Sequence, residues 1–139
     1  RPGGQADPMK PALAIDSLHQ VALTSTDIDE AQAFYEGHLG LRMIARFDPP
    51  GLMFFDAGGV RLSIQKVDAP HSTDAVIYFR VSDIGAASQA LKDRGVTFER
   101  DAELVYQDRE GQFGKPGEEE WMAFFRDPDG HLLALASRK

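Results

Sequence analysis

Residues 21–28 read VALTSTDI and residues 77–84 read IYFRVSDI, and these two stretches decide the fold. In each one, a short β-branched and aromatic run, typical of a strand, leads into a polar turn that ends in Asp-Ile. The two aspartates, Asp27 and Asp83, are 56 positions apart, and this offset holds along the whole strand and turn. The chain therefore contains two copies of one supersecondary unit.

A helix is predicted after each of these turns. Thr26 or Asp27 is the candidate N-cap in the first copy, and Ser82 or Asp83 in the second. Apolar residues then recur at helical spacing in both copies. The positions on these faces are Ile28, Ala31, Tyr35 and His38 in the first copy, and Ile84, Ala87 and Leu91 in the second.

Three strands are predicted after each helix. In the first half they are about 41–47, 52–56 and 60–66, with Gly58-Gly59 as a tight hairpin turn; in the second half they are about 97–105, 120–126 and 131–136, with a turn at 127–130 and a long polar loop at 106–117. The predicted fold class is α+β, with two tandem βαβββ modules that form a curved mixed sheet and a concave cavity. The helices are expected on the outer face, and the inner face is the natural place for a ligand.

The repeat also sets the predicted domain boundaries. Residues 17–138 form one domain, made of modules at about 17–67 and 75–138. Residues 1–16 have no periodic apolar pattern, so we expect a disordered N-terminal segment. Met9 fits a natural start, which would leave residues 1–8 as a tag remnant.

Composition excludes several classes of function. The 139 residues include no cysteine, which rules out disulfides, thiol catalysis and thiolate metal sites and fits a cytoplasmic protein. The net charge of −7, with no basic stripe, argues against nucleic acid as a partner. No apolar run reaches the ~20 residues of a membrane helix, so no membrane partner is expected. We expect the Glu118–Glu120 run to be a solvated loop or strand edge, and His71 and His131 to lie in solvated turns.

Several short motifs carry a family resemblance. They are Val21–Thr24, the Asp27-Ile28 turn, Phe34-Tyr35, Leu39-Gly40-Leu41 and Asp127-Pro128-Asp129-Gly130. Together with the repeat, they resemble the vicinal oxygen chelate superfamily, the glyoxalase, bleomycin resistance protein and extradiol dioxygenase group, from Leu18 to Ser137. The resemblance implies either divalent-metal chemistry with four ligands on inner strands, or metal-free binding of small molecules. It also implies a homodimer.

The resemblance places the four metal-ligand positions at Gln20, Ser63, Val76 and Ala134. Counting back from Phe34-Tyr35 gives Gln20 rather than its neighbour His19, which we expect to turn toward the helix side or the edge. An amide, a hydroxyl and two hydrocarbons do not make a usable shell for a divalent ion. We therefore predict no metal site and no cofactor.

Alternation from those four positions predicts the ligand-binding residues of the inner face. They are Gln20, Thr24, Arg61, Ser63, Gln65, Val76, Tyr78, Glu120, Met122, Phe124 and Ala134, with Ala22, Arg80 and Leu132 on the same face. Each has a plainer reading beside the functional one. Arg61 could anchor an anionic or carbonyl group or form a surface ion pair, Tyr78 could donate to a ligand or cap the sheet, and the Met122 and Phe124 side chains could stack on a ligand or pack in the core.

Three functional hypotheses remain open. The first is a metal-free module that sequesters or carries a small, partly aromatic molecule. The second is an enzyme with unknown catalytic residues: a divalent-metal-dependent lyase, isomerase or dioxygenase with displaced ligands among Gln20, Gln65, Tyr78 and Glu120, or a metal-free enzyme that uses Glu120 or Tyr78 as acid or base. In the third, a partner chain occupies the concave face.

Overall fold

The computed structural model describes residues 17–71 and 74–139, so the predicted disordered segment 1–16 lies outside the described residues. In chain order, the elements are β1 (Gln20–Ser25), α1 (Ile28–Gln32), a π-helical segment (Ala33–His38), β2 (Arg42–Phe47), β3 (Leu52–Ala57), β4 (Val60–Lys66), β5 (Ile77–Arg80), α2 (Ile84–Asp93), β6 (Phe98–Asp108), β7 (Glu118–Arg126) and β8 (Leu132–Arg138). In this part of the chain, no helix is long and apolar enough to cross a membrane.

The strands form two four-stranded mixed sheets of the same design. Their strand orders are β1-β4-β3-β2 and β5-β8-β7-β6, and the first and last strands of each module pair in parallel. All other pairs are antiparallel. The predicted fold class, two tandem βαβββ modules with curved sheets, is confirmed.

The strand register extends the repeat beyond the sequence motif. Ala22 pairs with Ser63 in the first sheet, and Tyr78 pairs with Ala134 in the second. Ser63 and Ala134 are therefore equivalent, so the offset between equivalent residues grows from 56 in the first strands to 71 in the last strands. The longer β6–β7 hairpin accounts for the difference.

Both helices begin at an aspartate, which settles the choice of N-cap. The Asp27 carboxylate accepts a hydrogen bond from the Glu30 amide, and Asp83 accepts one from the Ala86 amide, each at 3.0 Å. Each bond satisfies one of the free amides of a first helical turn.

The helix that begins at Ile28 widens after one turn into a π-helical segment. The Leu39 amide bonds to the Phe34 carbonyl, five residues back, at 2.9 Å. The wider turn lets two consecutive aromatic residues, Phe34 and Tyr35, both be buried.

One hydrophobic core serves both modules and lies on the helix side of the sheets. Alternate strand residues from both sheets enter it, as Leu62 and Ile64 do in β4, and Ala123 and Phe125 in β7. The Gly58-Gly59 hairpin turn, predicted from the sequence, brings β3 back as β4. Both glycines have a positive φ, 68° and 94°, which other residues adopt only with strain.

Polar contacts tie the first helix and strand to the β7–β8 turn of the second module. The Tyr35 hydroxyl donates to Asp127 Oδ2 at 2.6 Å in the interior, and the Thr26 amide donates to Asp129 at 2.8 Å. The His131 Nε2 atom is 2.7 Å from the Thr24 carbonyl oxygen. Since a carbonyl only accepts, Nε2 carries the proton. Burial raises the pKa of Asp127, although the bonds from Tyr35 and His131 act in the opposite direction.

Two sequence expectations are wrong in this region. His131 is buried rather than solvated. Glu118–Glu120 is not a solvated loop or edge but the start of β7, an inner strand between β6 and β8. The predicted loop 106–117 is shortened to 109–117 because the β6–β7 ladder continues to the Asp108–Glu118 pair.

Removing the buried Tyr35 hydroxyl tests the tie between the modules. In Tyr35→Phe, Asp127 Oδ2 loses its donor and stays in the interior. We expect a loss of about 1–3 kcal/mol in the free energy of unfolding, measured by urea denaturation. The matched control is Tyr106→Phe, whose hydroxyl bonds to Gln112 on the surface. It should change stability by less than about 0.5 kcal/mol, and equal losses in both variants would contradict the assignment.

Candidate functional site

The face of the sheets that points away from the core is the candidate site, and we call it the open face. Its residues alternate with the core residues of the same strands, so they point the other way. The open face comprises Gln20, Ala22 and Thr24 of β1, Phe54 of β3, Arg61, Ser63 and Gln65 of β4, Tyr78 and Arg80 of β5, Glu120, Met122 and Phe124 of β7, and Ala134, Ala136 and Arg138 of β8.

The structure thus places ten of the eleven predicted ligand-binding residues within these strands. Val76 precedes β5 and lies outside the ladder. Met122 and Phe124 are absent from the described core cluster, whereas Ala123 and Phe125 belong to it. The reading of these two side chains as core packing is therefore wrong.

Two aromatic rings cover the open face of the second sheet. Ala134 is fully buried between its ladder neighbours Tyr78 and Phe124. The two rings meet edge to face, with centroids 6.1 Å apart. Tyr78 is still 51% exposed, so the outer side of the pair is open to a ligand.

On the open face of the first sheet, the guanidinium of Arg61 lies over the ring of Phe54. Arg61 lies 5.7 Å from the centroid of Phe54, a cation–π contact, and its Nε donates to Gln20 Oε1 at 3.0 Å. Its Nη2 atom is 3.0 Å from Nε2 of His19, which must accept because arginine only donates. Ser63 is buried between Ala22 and Phe54 in the ladder.

A cluster of charges lies at the far end of the second sheet. Arg138 donates to Asp108 at 2.6 Å, to Glu120 at 3.1 Å and to Glu118 at 3.2 Å. Burial alone would raise the pKa of the fully buried Asp108, but hydrogen bonds from the amides of Phe113 and Gln112 and from Arg138 hold it below its usual value. The Glu120 carboxylate is thus engaged by a guanidinium, which argues against its use as a base.

Phe54 and Arg138 are site residues that the sequence reasoning missed. The alternation of side chains along each strand could have identified both residues from the sequence. Phe54 lies between the core residues Met53 and Phe55, and Arg138 continues the alternation of Ala134 and Ala136.

A protein-family model decides the identity of the fold. The model for the Glyoxalase/Bleomycin resistance protein/Dioxygenase superfamily matches residues 17–135, which is most of the chain. The chain belongs to this superfamily. No curated protein matches it.

Solved structures of the superfamily share the fold at low sequence identity. The fosfomycin resistance protein FosX of Listeria monocytogenes is 20% identical with a TM-score of 0.70, and the match covers 89% of this chain and 94% of that one. A lactoylglutathione lyase from Agrobacterium tumefaciens is 19% identical with a TM-score of 0.68, over 89% and 95%. A superfamily member from Alicyclobacillus acidocaldarius is 23% identical with a TM-score of 0.66, over 88% and 91%.

The residues at the superfamily's metal-ligand positions do not fit a divalent ion. By resemblance these positions are Gln20, Ser63, Val76 and Ala134. The Gln20 oxygen accepts from Arg61, whose positive charge repels a cation, and the two hydrocarbon side chains offer no donor. Over residues 17–71 and 74–139, no group of three or more His, Asp or Glu side chains is placed to hold a metal.

The buried carboxylate at the far end of the open face predicts a pH dependence of stability. A carboxyl whose pKa is lower in the folded state stabilises the protein above its unfolded pKa, and that contribution is lost as pH falls through the folded value. We expect Asp108→Asn to melt at a lower temperature than wild type at neutral pH. The gap should close as pH falls below the usual aspartate pKa of about 4.

The matched control for this experiment is Asp101→Asn, which removes an exposed ion pair with Lys92. Its melting temperature should stay close to that of wild type at every pH. A gap for Asp108→Asn that widens in acid would contradict the assignment.

Proposed function

We propose that the chain binds a small, partly aromatic organic molecule on its open face without a metal ion, and that it sequesters or carries this molecule. The observation that carries the proposal is the packing at two of the superfamily's metal positions. Ser63 and Ala134 are buried beside aromatic residues, and the ring of Tyr78 remains half exposed above the second of them.

The open face offers two kinds of contact to such a molecule. The Tyr78–Phe124 pair gives an aromatic surface on which a ring stacks or packs edge to face. Arg61 presents a planar fork suited to a carboxylate or carbonyl group, and Gln65 adds an exposed amide. Small-molecule sites commonly combine aromatic side chains with a few polar anchors in this way.

We further propose that the protein works as a cytoplasmic homodimer in which a second copy covers part of the open face. The exposure of Tyr78 on a sheet face is the structural support, and the resemblance to a family that commonly dimerises is the other. Light scattering after gel filtration measures this directly. A monomer at working concentrations would overturn it.

Metal analysis tests the metal-free part of the proposal. Protein purified without metal-affinity resin is incubated in turn with nickel, zinc, manganese and iron(II), desalted, and analysed for metal content. We expect far less than one metal per chain, because Arg61 holds the Gln20 oxygen, Ser63 offers only a hydroxyl, and Val76 and Ala134 offer no donor atom. Near-stoichiometric metal would favour a metal-dependent lyase, isomerase or dioxygenase, with Gln20, Gln65, Tyr78 and Glu120 as the ligands to mutate.

Removing a ring of the open face tests where the ligand lies. Aromatic compounds that raise the melting temperature are titrated calorimetrically against wild type and Phe124→Leu. We expect affinity to fall about 3- to 10-fold, the value of one aromatic contact. Phe113→Leu is the matched control, since Phe113 is 72% exposed in the loop after β6. Equal losses in both variants would place the ligand elsewhere.

A further inference from the structure

A cavity separate from the centre of the open face lies where the two modules meet, bounded by β5, α2 and the β3–β4 turn. Its volume is about 880 Å³, and its walls include core-side residues such as Val21, Leu62 and Phe79. Ser63, Phe124 and Ala134 do not line it, so it is distinct from the centre of the open face, although Arg61, Tyr78 and Arg80 border both. Small-molecule sites commonly have this size.

The cavity exists because the two halves of the repeat are filled differently. With the 56-residue offset, Phe34 and Tyr35 correspond to Ala90 and Leu91. Phe34 and Tyr35 are both buried in the core. Leu91 is buried in the core as well, but it also lines the cavity, as does the partly exposed Ala90. Two aliphatic side chains in the second half thus occupy the positions that two aromatic side chains have in the first half.

The hairpin turns show the same asymmetry. With the 71-residue offset of the last strands, His131 and Asp129 correspond to Val60 and Gly58. His131 and Asp129 reach the first strand and its turn with hydrogen bonds, while Val60 and Gly58 line the cavity. The cavity thus lies at positions that aromatic and polar side chains occupy at the other junction, so a planar ring bound in it would take the place that those rings have there.

The charges of the residues that line the cavity indicate which planar molecules would bind in it. The chain carries a net charge of −7, yet the described lining residues include no Asp or Glu. They do include Arg61, Arg80, Arg94 and His38. The Arg94 guanidinium is fixed at the wall by a 2.6 Å hydrogen bond to the His38 carbonyl. An anionic group is the complement of this lining.

We propose that this junction cavity binds a small aromatic carboxylate, with the ring in the space beside Ala90 and Val60 and the carboxylate at Arg94. The site is separate from the open face, so it neither requires nor excludes the function proposed above.

The test uses 2-naphthoate as the probe, titrated calorimetrically into the full chain. We expect wild type to bind it with a dissociation constant below about 1 mM, and to bind the neutral 2-naphthamide about tenfold more weakly. Arg94→Gln should abolish that preference. No 2-naphthoate binding by wild type, or a preference unchanged in Arg94→Gln, would overturn the proposal.

Filling the cavity locates the binding. Ala90→Phe restores the ring that the equivalent position has in the first half, and it should reduce 2-naphthoate affinity at least about tenfold. Ala90→Leu serves as the smaller replacement where the phenylalanine variant does not fold. Ala86→Phe, at an exposed position of the same helix, is the matched control and should bind like wild type. Binding that survives in both Ala90 variants but is weakened in Phe124→Leu would move the ligand to the open face and overturn the proposal.

Discussion

A single core shared by two modules is the constraint on which the rest of the structure depends. Both sheets bury the same face, because the two helices and the apolar alternate residues of the strands meet on one side. Since side chains alternate along a strand, burying one face of each sheet also determines which residues lie on the other face. Gln20, Arg61, Tyr78 and Phe124 share the open face because their neighbours are required in the core.

On the open face, the residues at the superfamily's metal-ligand positions do not form a usable set of metal ligands. A divalent ion needs several oxygen or nitrogen ligands aimed at one point, and these ligands repel one another when the ion is absent. Here Ala134 lies between two rings in contact, and Arg61 supplies a positive charge beside Gln20. Aromatic packing and a fixed cation are the two features that support the proposed binding of an organic molecule with a ring and a negative or carbonyl group.

The repeat, the Gly58-Gly59 turn and, to within one residue, both N-caps were predictable because each depends on residues close together in sequence. His131 was not, since it is buried by a bond to Thr24, 107 residues away. The role of Glu120 depends in the same way on Arg138, which only the β7–β8 register brings beside it. In β6, irregular register on both sides of Arg100 interrupts the alternation, so period-two reasoning could not place that strand's ends or its loop.

A duplicated fold allows its two halves to diverge while the core keeps them together. At one junction, Tyr35 of the first module and Asp127 of the second are joined by a buried hydrogen bond. At the other junction, Leu91 of the second module and Val60 of the first line an open cavity. Side chains that leave a cavity open forgo the packing contacts that a filled junction gains. A closed junction on one side can offset an open one on the other, because both modules unfold from the same core. The two junctions therefore differ: one is joined by a buried hydrogen bond, and the other is the cavity proposed to bind an aromatic carboxylate.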